Sequence, residues 1–350
     1  MGRYIAKRLA YMMLVFFLLT FILFVLYQMM PANRAYTDAK NELLAQKGQN
    51  RDRTDIEKDS AFDELYQKYR RMYGTDTDNN VILYLRWLGL YPFYDGHYSG
   101  IFQGDFGFSY DYNKPVVEVV PVHMRNSFLI GIITEIAVLG ITIPLGIKCA
   151  VKKNSRFDRF TQFFTLIGFS TPSFIIYIVF IMFFCSILGI FPVMGMKTAG
   201  AEYTGFREVL DVLWHVTLPT ICLTFGSLAS ITRITRASMI DALNLDCIRT
   251  ARAKGLSEKV VIYSHAWRNA LIPMVSIIVG GFFGTISGAM ILEQMFGFKG
   301  MGLLFLNATR NADYDMIMFL EVIYTFLGLF SNLVIDLCYG IVDPRVRISK

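Results

Sequence analysis

Six long apolar segments alternate with polar stretches along the chain. Each holds enough apolar residues to cross roughly 30 Å of hydrocarbon as an α-helix. The third is the longest and contains Pro172, so we expect it to tilt or to bend there. The segments cover about 9–30, 127–149, 160–190, 216–232, 272–292 and 316–341. This pattern predicts an all-α integral membrane protein with six transmembrane helices.

The fourth segment is the least hydrophobic of the six because it carries many hydroxyl side chains. Such a helix is more often buried among other helices than turned toward lipid, since neighbouring helices can pair its hydroxyl groups. We therefore expect it to be buried within the bundle. The hydroxyl residues are Thr217, Thr220, Thr224, Ser227, Ser230 and Thr232.

The interval between the first two segments, residues 31–126, predicts an external appendage. Its first part, 32–62, is polar and charged and indicates a mobile or helical insertion. Its second part, 65–125, is rich in aromatic residues and glycine and predicts a small cap against the outer membrane surface. The remaining boundaries are residues 1–30 for the N-terminus with the first helix, 127–341 for the membrane core and 342–350 for a tail.

A basic island, Asp246–Met274, separates the fourth and fifth segments. Its pattern predicts two short helices, about 241–253 and 258–269. Gly255 lies between them, where it can adopt φ > 0 and turn the chain. Ser257 is placed to cap the second helix. The whole polar connection extends over about 233–271.

The island has the composition of a docking element. The small residue Ala251 would let a partner approach the helix closely, and Arg249, Arg252 and Lys254 would offer hydrogen-bond donors to it. The alternative is a solvated basic loop that only fixes membrane topology.

Composition and charge support the membrane class. Apolar residues make up 54% of the chain, charged residues only 18%, and the net charge is +6. The basic residues lie at the ends of apolar segments, which is how membrane topology is set, so they do not indicate nucleic-acid binding. Their distribution predicts a multi-pass protein with both termini and the island in the cytoplasm. The first segment is too long for a typical signal-peptide core, and we expect it to be retained.

The sequence lacks the motifs of the common catalytic and nucleotide-binding sites. It contains no GxxxxGK[ST] motif, no HExxH motif and no GxSxG motif. The five cysteines show no CxxC or metal-ligand spacing, and the four histidines lie in four different regions. We therefore expect neither an enzyme nor a metal site, and no cofactor on this chain.

Three acidic residues fall inside or near the end of apolar segments: Glu135, Glu321 and Asp336. Ionisable groups in a membrane span usually face a polar interior or a partner. Glu135 and Glu321 are candidates for a translocation pathway, and the alternative is hydrogen bonding between helices. Four hydroxyl residues are candidates for neutral pathway contacts, with plain helix packing as the alternative: Ser170, Ser173, Thr224 and Ser227.

A stretch of the island, RTARAKGLSEKVVIYSHAWRNALIP, resembles the loop of a known transporter family. The family comprises the membrane subunits of binding-protein-dependent ABC importers, in the oligopeptide/dipeptide/nickel branch. Its E-A-A-x-x-x-G signature falls on Arg249-Thr250-Ala251 and Gly255, with arginine and threonine replacing the first two residues. Lys299 stands where the family usually has proline. Further similar stretches are RYIAKRL at 3–9, YLRW at 84–87, GDFGFS at 104–109, STPSF at 170–174, TRASM at 235–239, FG at 296–297 with GMG at 300–302, and DPR at 343–345.

The resemblance implies the type I ABC importer permease fold, in the first (B-type) membrane subunit, and a location in the plasma (inner) membrane of a prokaryote. It implies a second homologous permease chain forming a heterodimer, two ABC ATPase subunits that hold ATP and Mg, and an extracellular or periplasmic binding protein. A peptide cargo is implied, with a nickel or metal-chelate importer, or a transport-inactive membrane sensor, as alternatives. The external cap would dock the binding protein or close the outer mouth; a belt of interfacial aromatics is the other interpretation. The residues that would contact the ATPase are Arg249, Thr250, Ala251, Arg252, Lys254, Gly255 and Leu256.

Overall fold

The structure, a computed structural model, describes residues 2–29, 34–47 and 55–342. The predicted tail with Arg345, Arg347 and Lys350, and the DPR stretch at 343–345, lie outside the described residues. So do residues 30–33, which include the first two positions of the predicted insertion, and its residues 48–54.

The described part of the chain is mostly helical. Residues Phe108–Ser109 (β1) and Lys114–Pro115 (β2) form a short antiparallel hairpin in which Phe108 pairs with Pro115. The helices are α1 Gly2–Gln28, α2 Arg34–Lys47, α3 Asp55–Met72, α4 Asn80–Leu88, α5 Val116–Val151, α6 Arg156–Ser170, α7 Ser173–Phe180, α8 Phe206–Leu243, α9 Asp246–Ala253, α10 Glu258–Val260, α11 Trp267–Ser287, α12 Met290–Met295, α13 Met301–Arg310 and α14 Tyr314–Val342. A 3-10 turn covers Ile101–Gln103, and π-helical turns cover Ile181–Ile187 and Val261–Ala266.

Within the described ranges, five helical stretches are long and apolar enough to cross a membrane, and a bent pair makes a sixth. The five are Ile5–Gln28, Val116–Val151, Phe206–Leu243, Glu258–Met295 and Tyr314–Ile341. Each overlaps one of the predicted segments, and all but the first contain it in full. The prediction of an all-α membrane protein with six spans is therefore confirmed, with the third span broken.

The break in the third span occurs where proline predicted a bend. Helices α6 and α7 meet at an angle of 100°. Thr171, the residue before Pro172, is extended with ψ 125°, because the proline ring disfavours the helical conformation of the residue preceding it. Pro172 also lacks the N–H that would continue the helix.

The chain forms two compact units. The first comprises residues up to Val120 together with Phe305–Phe326, and the second comprises Pro121–Leu304 and the residues from Leu327 on. The boundary falls inside the long helices α5, α13 and α14.

In the first unit, α1 packs against α4 through an aromatic core. Phe24, Leu83, Tyr84, Leu88 and Met318 form a buried cluster. The Thr20 and Tyr84 hydroxyl oxygens lie 2.7 Å apart in the buried interior, so both polar groups are paired. The described parts of the predicted insertion are helical, which was one of the two alternatives.

The predicted cap contains the start of a membrane helix. Helix α5 begins at Val116, eleven residues before the predicted span at 127. Val116, Val119 and Val120 are buried, at the i, i+3 and i+4 spacing of one helix face. The polar residue His123, also within the predicted cap, is buried as well.

In the second unit, α8 packs against α6, α7 and α11. In its most apolar stretch, 39% of residues are buried against the rest of the chain, compared with 11% in α1. The prediction that this span is buried is therefore confirmed. Small residues permit close approach: a Cβ at Gly146 of α5 would lie 2.6 Å from the Cβ of Thr235 on α8, so only glycine fits there.

Candidate coupling surface and translocation path

The basic island begins where α8 stops. Leu243 is the last residue of α8, and Leu245 is extended, with φ −64° and ψ 145°, immediately before α9. The first island helix was predicted to begin at 241 and begins instead at Asp246. Residues 241–243 belong to α8. The helical conformation is interrupted at Asn244 and Leu245, which is later than the prediction placed the interruption.

Gly255 turns the chain between the two halves of the island. Its φ is +75°, as predicted, a conformation that costs glycine little and other residues much more. The predicted cap by the Ser257 side chain is wrong: Ser257 has the extended conformation of a cap, but its hydroxyl makes no capping hydrogen bond. Its carbonyl instead accepts the N–H of Val261 at 3.0 Å.

The second island helix is the start of a membrane span. Helix α10 continues through the π-helical turn Val261–Ala266 into α11, without the predicted end at 269. Turns of π-helix insert an extra residue and are frequent at functional sites. The second half of the island is thus continuous with the fifth span.

The inward face of the island packs against the rest of its own unit. Ile248, Val261 and Ala266 are fully buried, in a cluster with Met239 of α8. Ala251 belongs to the same cluster and is only 5% exposed. The predicted reason for a small residue at 251 is therefore wrong: Ala251 faces its own chain, and its size permits α9 to pack there.

The outward face of the island combines basic and apolar groups. The Arg249 side chain is 73% exposed, and Thr250, Lys254 and Gly255 are also exposed. Four apolar side chains lie exposed on or beside this face: Leu245, Leu256, Val260 and Tyr263. Exposed apolar groups among basic ones are typical of a protein-docking surface.

Arg252 does not extend freely toward a partner. Its Nε and Nη2 donate to the two carboxylate oxygens of Glu258, at 2.8 and 3.3 Å. The pair bridges the Gly255 turn and ties α9 to α10. Arg252 therefore stabilises the shape of the island, in addition to any contact outside the chain.

We expect this bridge to contribute little to the overall stability. Both side chains are exposed, and exposed ion pairs contribute about 0.2–1 kcal/mol because water and salt screen them. Glu258→Gln should leave the melting temperature of the purified protein unchanged within about 2 °C. A larger decrease, measured beside the exposed control Glu202→Gln, would contradict this assignment.

Glu135, predicted for the pathway, lies half-buried on α5. A Cβ added to Gly281 of α11 would lie 2.4 Å from its Oε1, so the carboxylate rests directly on that helix. Oε1 has no hydrogen-bond partner within the described part of the chain. A buried carboxylate oxygen left unpaired is costly and calls for a ligand, ion or water.

Helix α8 carries several further polar groups that are buried without a protein partner. Thr224, predicted for the pathway, is one of them, and Ser227 is half-buried one turn later. Among the described residues, the buried side-chain atoms without a partner are Thr134 Oγ1, Glu135 Oε1, Gln162 Nε2, Thr220 Oγ1, Thr224 Oγ1 and Thr232 Oγ1. Five of the six lie on α5 and α8, which gives these two helices a polar interior.

The other predicted pathway residues lie elsewhere. Ser170 and Ser173 are exposed on either side of the α6–α7 bend, and Ser173 hydrogen-bonds Tyr177. Glu321 is half-buried on the part of α14 that belongs to the first unit. No hydrogen bond among the described residues joins any of the six predicted residues to another.

Sequence reasoning missed a buried carboxylate at Glu293. This side chain is 2% exposed. Its Oε1 accepts from the Ser127 hydroxyl at 2.7 Å and the Ala289 N–H at 3.1 Å, and its Oε2 accepts from the Leu303 N–H at 2.8 Å. The Ser127 oxygen in turn accepts the Met301 N–H at 2.7 Å. The sequence did contain a signal for this buried acid. Glu293 is a single acidic residue among Ile291, Leu292 and Met295, and glycines lie nearby on both sides.

No group of three or more His, Cys, Asp or Glu side chains that could hold a metal occurs in the ranges described. The geometry instead consists of a docking face on the island, a buried helix with polar groups, and a carboxylate-anchored loop. This combination suits movement of a solute through a bundle.

Residues 142–348 match the family described as binding-protein-dependent transport system inner membrane component. This range includes the whole island and more than half of the chain. The match confirms the resemblance seen in the island and the type I importer permease fold that it implied.

Individual relatives extend the match over nearly the whole chain. The oligopeptide transport system permease protein AppB of Bacillus subtilis (strain 168) is 35% identical over 282 residues, 80% of this chain and 84% of that protein. The peptidoglycan transport system permease protein YejB of Agrobacterium fabrum is 32% identical over 100% of this chain and 99% of its own. The dipeptide transport system permease protein DppB of Lactococcus lactis subsp. cremoris is 32% identical over 99% of this chain and 100% of its own. The chain therefore belongs to the family of binding-protein-dependent transport system inner membrane components, the permease subunits of ABC importers, in which separate subunits hydrolyse ATP.

Proposed function

We propose that this chain is the permease subunit of an ATP-driven importer that carries oligopeptides or dipeptides across the plasma membrane of a prokaryote. The observation that carries the proposal is the island, whose inward face is fixed on α8 and whose outward face offers basic and apolar contacts. The cargo is supported by relatives described as oligopeptide and dipeptide permeases.

The proposed assembly contains three kinds of partner protein. A second homologous permease chain completes the membrane path as a heterodimer, and two ABC ATPase subunits bind the islands and hold ATP and Mg. An extracellular or periplasmic binding protein delivers the peptide. Both termini and the island lie in the cytoplasm, an orientation supported by the concentration of Lys and Arg in those connections.

In the proposed cycle, ATP binding closes the two ATPase subunits and draws the islands with them. The spans then change from inward-facing to outward-facing and accept peptide from the binding protein. ATP shifts this equilibrium only as far as it binds the closed form more tightly than the open form. Hydrolysis resets the transporter. In this chain the ATPase subunit would contact the exposed side of the island. The residues on that side are Arg249, Thr250, Lys254 and Leu256.

The polar interior of α5 and α8 would line the peptide path. Glu135 has an unpaired carboxylate oxygen that would attract a peptide amino terminus. Thr220 and Thr224 carry hydroxyl groups that would pair with peptide carbonyls. Ser227, half-buried on α8, belongs to the same proposed set. Ser170, Ser173 and Glu321 stay candidates that rest on the sequence alone. Neutral hydroxyl groups suit a path that accepts many sequences, because they bond to the backbone common to all peptides.

The segment between α1 and α5 would dock the binding protein or close the outer mouth. Aromatic side chains that could contact a partner are exposed there, among them Tyr94, Tyr98 and Phe102. A cavity of about 350 Å³ lies within the same unit, lined in part by Trp87 and Phe106.

Reconstitution tests the proposed function. The assembled complex in liposomes should take up a labelled oligopeptide only when ATP and the loaded binding protein are both present. Uptake of a nickel chelate without peptide uptake would contradict the peptide cargo. A complex in which loaded binding protein neither stimulates ATP hydrolysis nor drives uptake would contradict an importer altogether and indicate a sensor.

A further inference from the structure

An ion pair with a buried carboxylate joins α6 to α8, and its Arg236 side chain is 21% exposed. Nε and Nη2 of Arg236 donate to the two carboxylate oxygens of Asp158, each at 2.7 Å. Asp158 is only 1% exposed. The two residues are 78 positions apart in sequence, and this paired, planar geometry is the strongest form of arginine–carboxylate contact.

Asp158 is also fixed to the beginning of its own helix. The carboxylate Oδ2 accepts the N–H of Asn154 at 2.9 Å, and the Asp158 N–H donates to the Ser155 hydroxyl at 3.2 Å. These reciprocal bonds resemble a capping box, with an acid three residues after the cap. A displacement of Arg236 would therefore move the whole first turn of α6.

A second arginine contacts α6 one turn earlier on α8. Arg233 Nε lies 3.4 Å from Thr165 Oγ1, and its Nη2 lies 3.5 Å from the Gln162 carbonyl oxygen. Residues three apart on a helix share one face. Helix α8 therefore holds α6 at two levels, and α6 leads directly to the 100° bend into α7.

Helix α8, which contacts α6 through these two arginines, also contacts the island at its C-terminal end. Arg236 lies ten residues before α9, and the intervening end of α8 is packed on α9: Met239 and Ala242 share a buried cluster with Ile248 and Ala251. Displacement of α9 is thus passed to the end of α8 through a close-packed interior, which transmits strain.

We propose that Arg236 and Asp158 are positioning residues that transmit movement of the island to the bent span α6–α7. The inference rests on the proposed importer function. Removing one member of a buried ion pair leaves the other charge without its partner, whereas replacing both members by neutral groups leaves no such charge. A link needed for coupling and a link needed only for stability therefore respond differently to single and double variants.

The test compares Asp158→Asn, Arg236→Gln and the double variant D158N/R236Q in the reconstituted complex. Asparagine can still accept the Asn154 N–H, so the start of α6 is preserved. The single variants should lower both the melting temperature and the number of peptides taken up per ATP hydrolysed. The double variant should regain the melting temperature while uptake per ATP stays about tenfold below wild type, a typical size for a coupling effect.

Arg236→Lys provides a milder variant that keeps the charge but loses the planar double contact. It should assemble normally and show an intermediate uptake per ATP. The control is K197Q/E208Q, which removes an exposed ion pair at the opposite end of α8 and should behave as wild type.

Two outcomes would overturn the link. One is normal uptake per ATP in the double variant, and the other is normal uptake per ATP in Arg236→Lys together with either single variant. A wild-type complex that takes up no peptide would instead count against the proposed function, so the two failures can be told apart.

Discussion

Gly255→Pro is expected to reduce ATP-driven uptake strongly while leaving the protein inserted in the membrane. Gly255 has φ +75°, and proline is fixed near φ −65°, so the turn between α9 and α10 cannot form. The substitution also removes the N–H that donates to the Arg252 carbonyl at 2.9 Å. We expect uptake to fall by about 10- to 100-fold, the range of typical coupling free energies. ATP-dependent uptake in liposomes is the measurement.

The space around Gly255 makes this prediction specific to the backbone. A Cβ at Gly255 would meet nothing within 4 Å, so side-chain size is not the obstacle. Gly255→Asn should retain most of the uptake because asparagine tolerates left-handed conformations. Gly200, with φ +76° and equally open surroundings, is the matched control: Gly200→Pro should leave coupling intact. Normal uptake by Gly255→Pro would exclude the island as the coupling element.

Glu293→Ala is expected to cause the largest loss of stability. The substitution leaves the Ser127 hydroxyl and the N–H groups of Ala289 and Leu303 without their acceptor in a buried site. Each orphaned donor costs about 1–3 kcal/mol, so we expect the three together to cost about 3–9 kcal/mol and recovery of folded protein to be poor. Thermal unfolding of the purified chain in detergent is the measurement.

Two variants test the cause of this loss. Glu293→Gln keeps the size and one acceptor oxygen, and should lose less stability than alanine. Glu208→Ala removes an exposed acid of the same unit and should change the melting temperature little. Equal melting temperatures for Glu293→Ala and wild type would show that the hydrogen bonds to this carboxylate are dispensable.

Local patterns predicted the features that depend on local forces. The spans follow from runs of apolar residues, the bend from Pro172, and the left-handed turn from Gly255. The predicted start of α5 was too late because His123, Arg125 and Asn126 interrupt an apolar stripe that Val116 and Val119 have already begun.

Features that depend on distant contacts were not predictable in the same way. Glu293 meets Ser127 across 166 positions, and Asp158 meets Arg236 across 78. In neither pair do the neighbouring residues in sequence indicate which distant residue will be the partner. The orientation of Ala251 was likewise undetermined, because a small residue fits equally well against a neighbouring helix or a partner protein. Only the packing of α9 on Met239 decides between them.

Helix α8 is 38 residues long, about 57 Å at 1.5 Å per residue. The hydrocarbon core of a bilayer is only about 30 Å thick. Nearly half of α8 therefore extends beyond the lipid, and the helix can work as a lever. A tilt of about 5° displaces one end of such a helix by about 5 Å relative to the other. Because the helix is this long, a small rotation at the docking surface would displace the opposite end of α8 by about the width of a side chain.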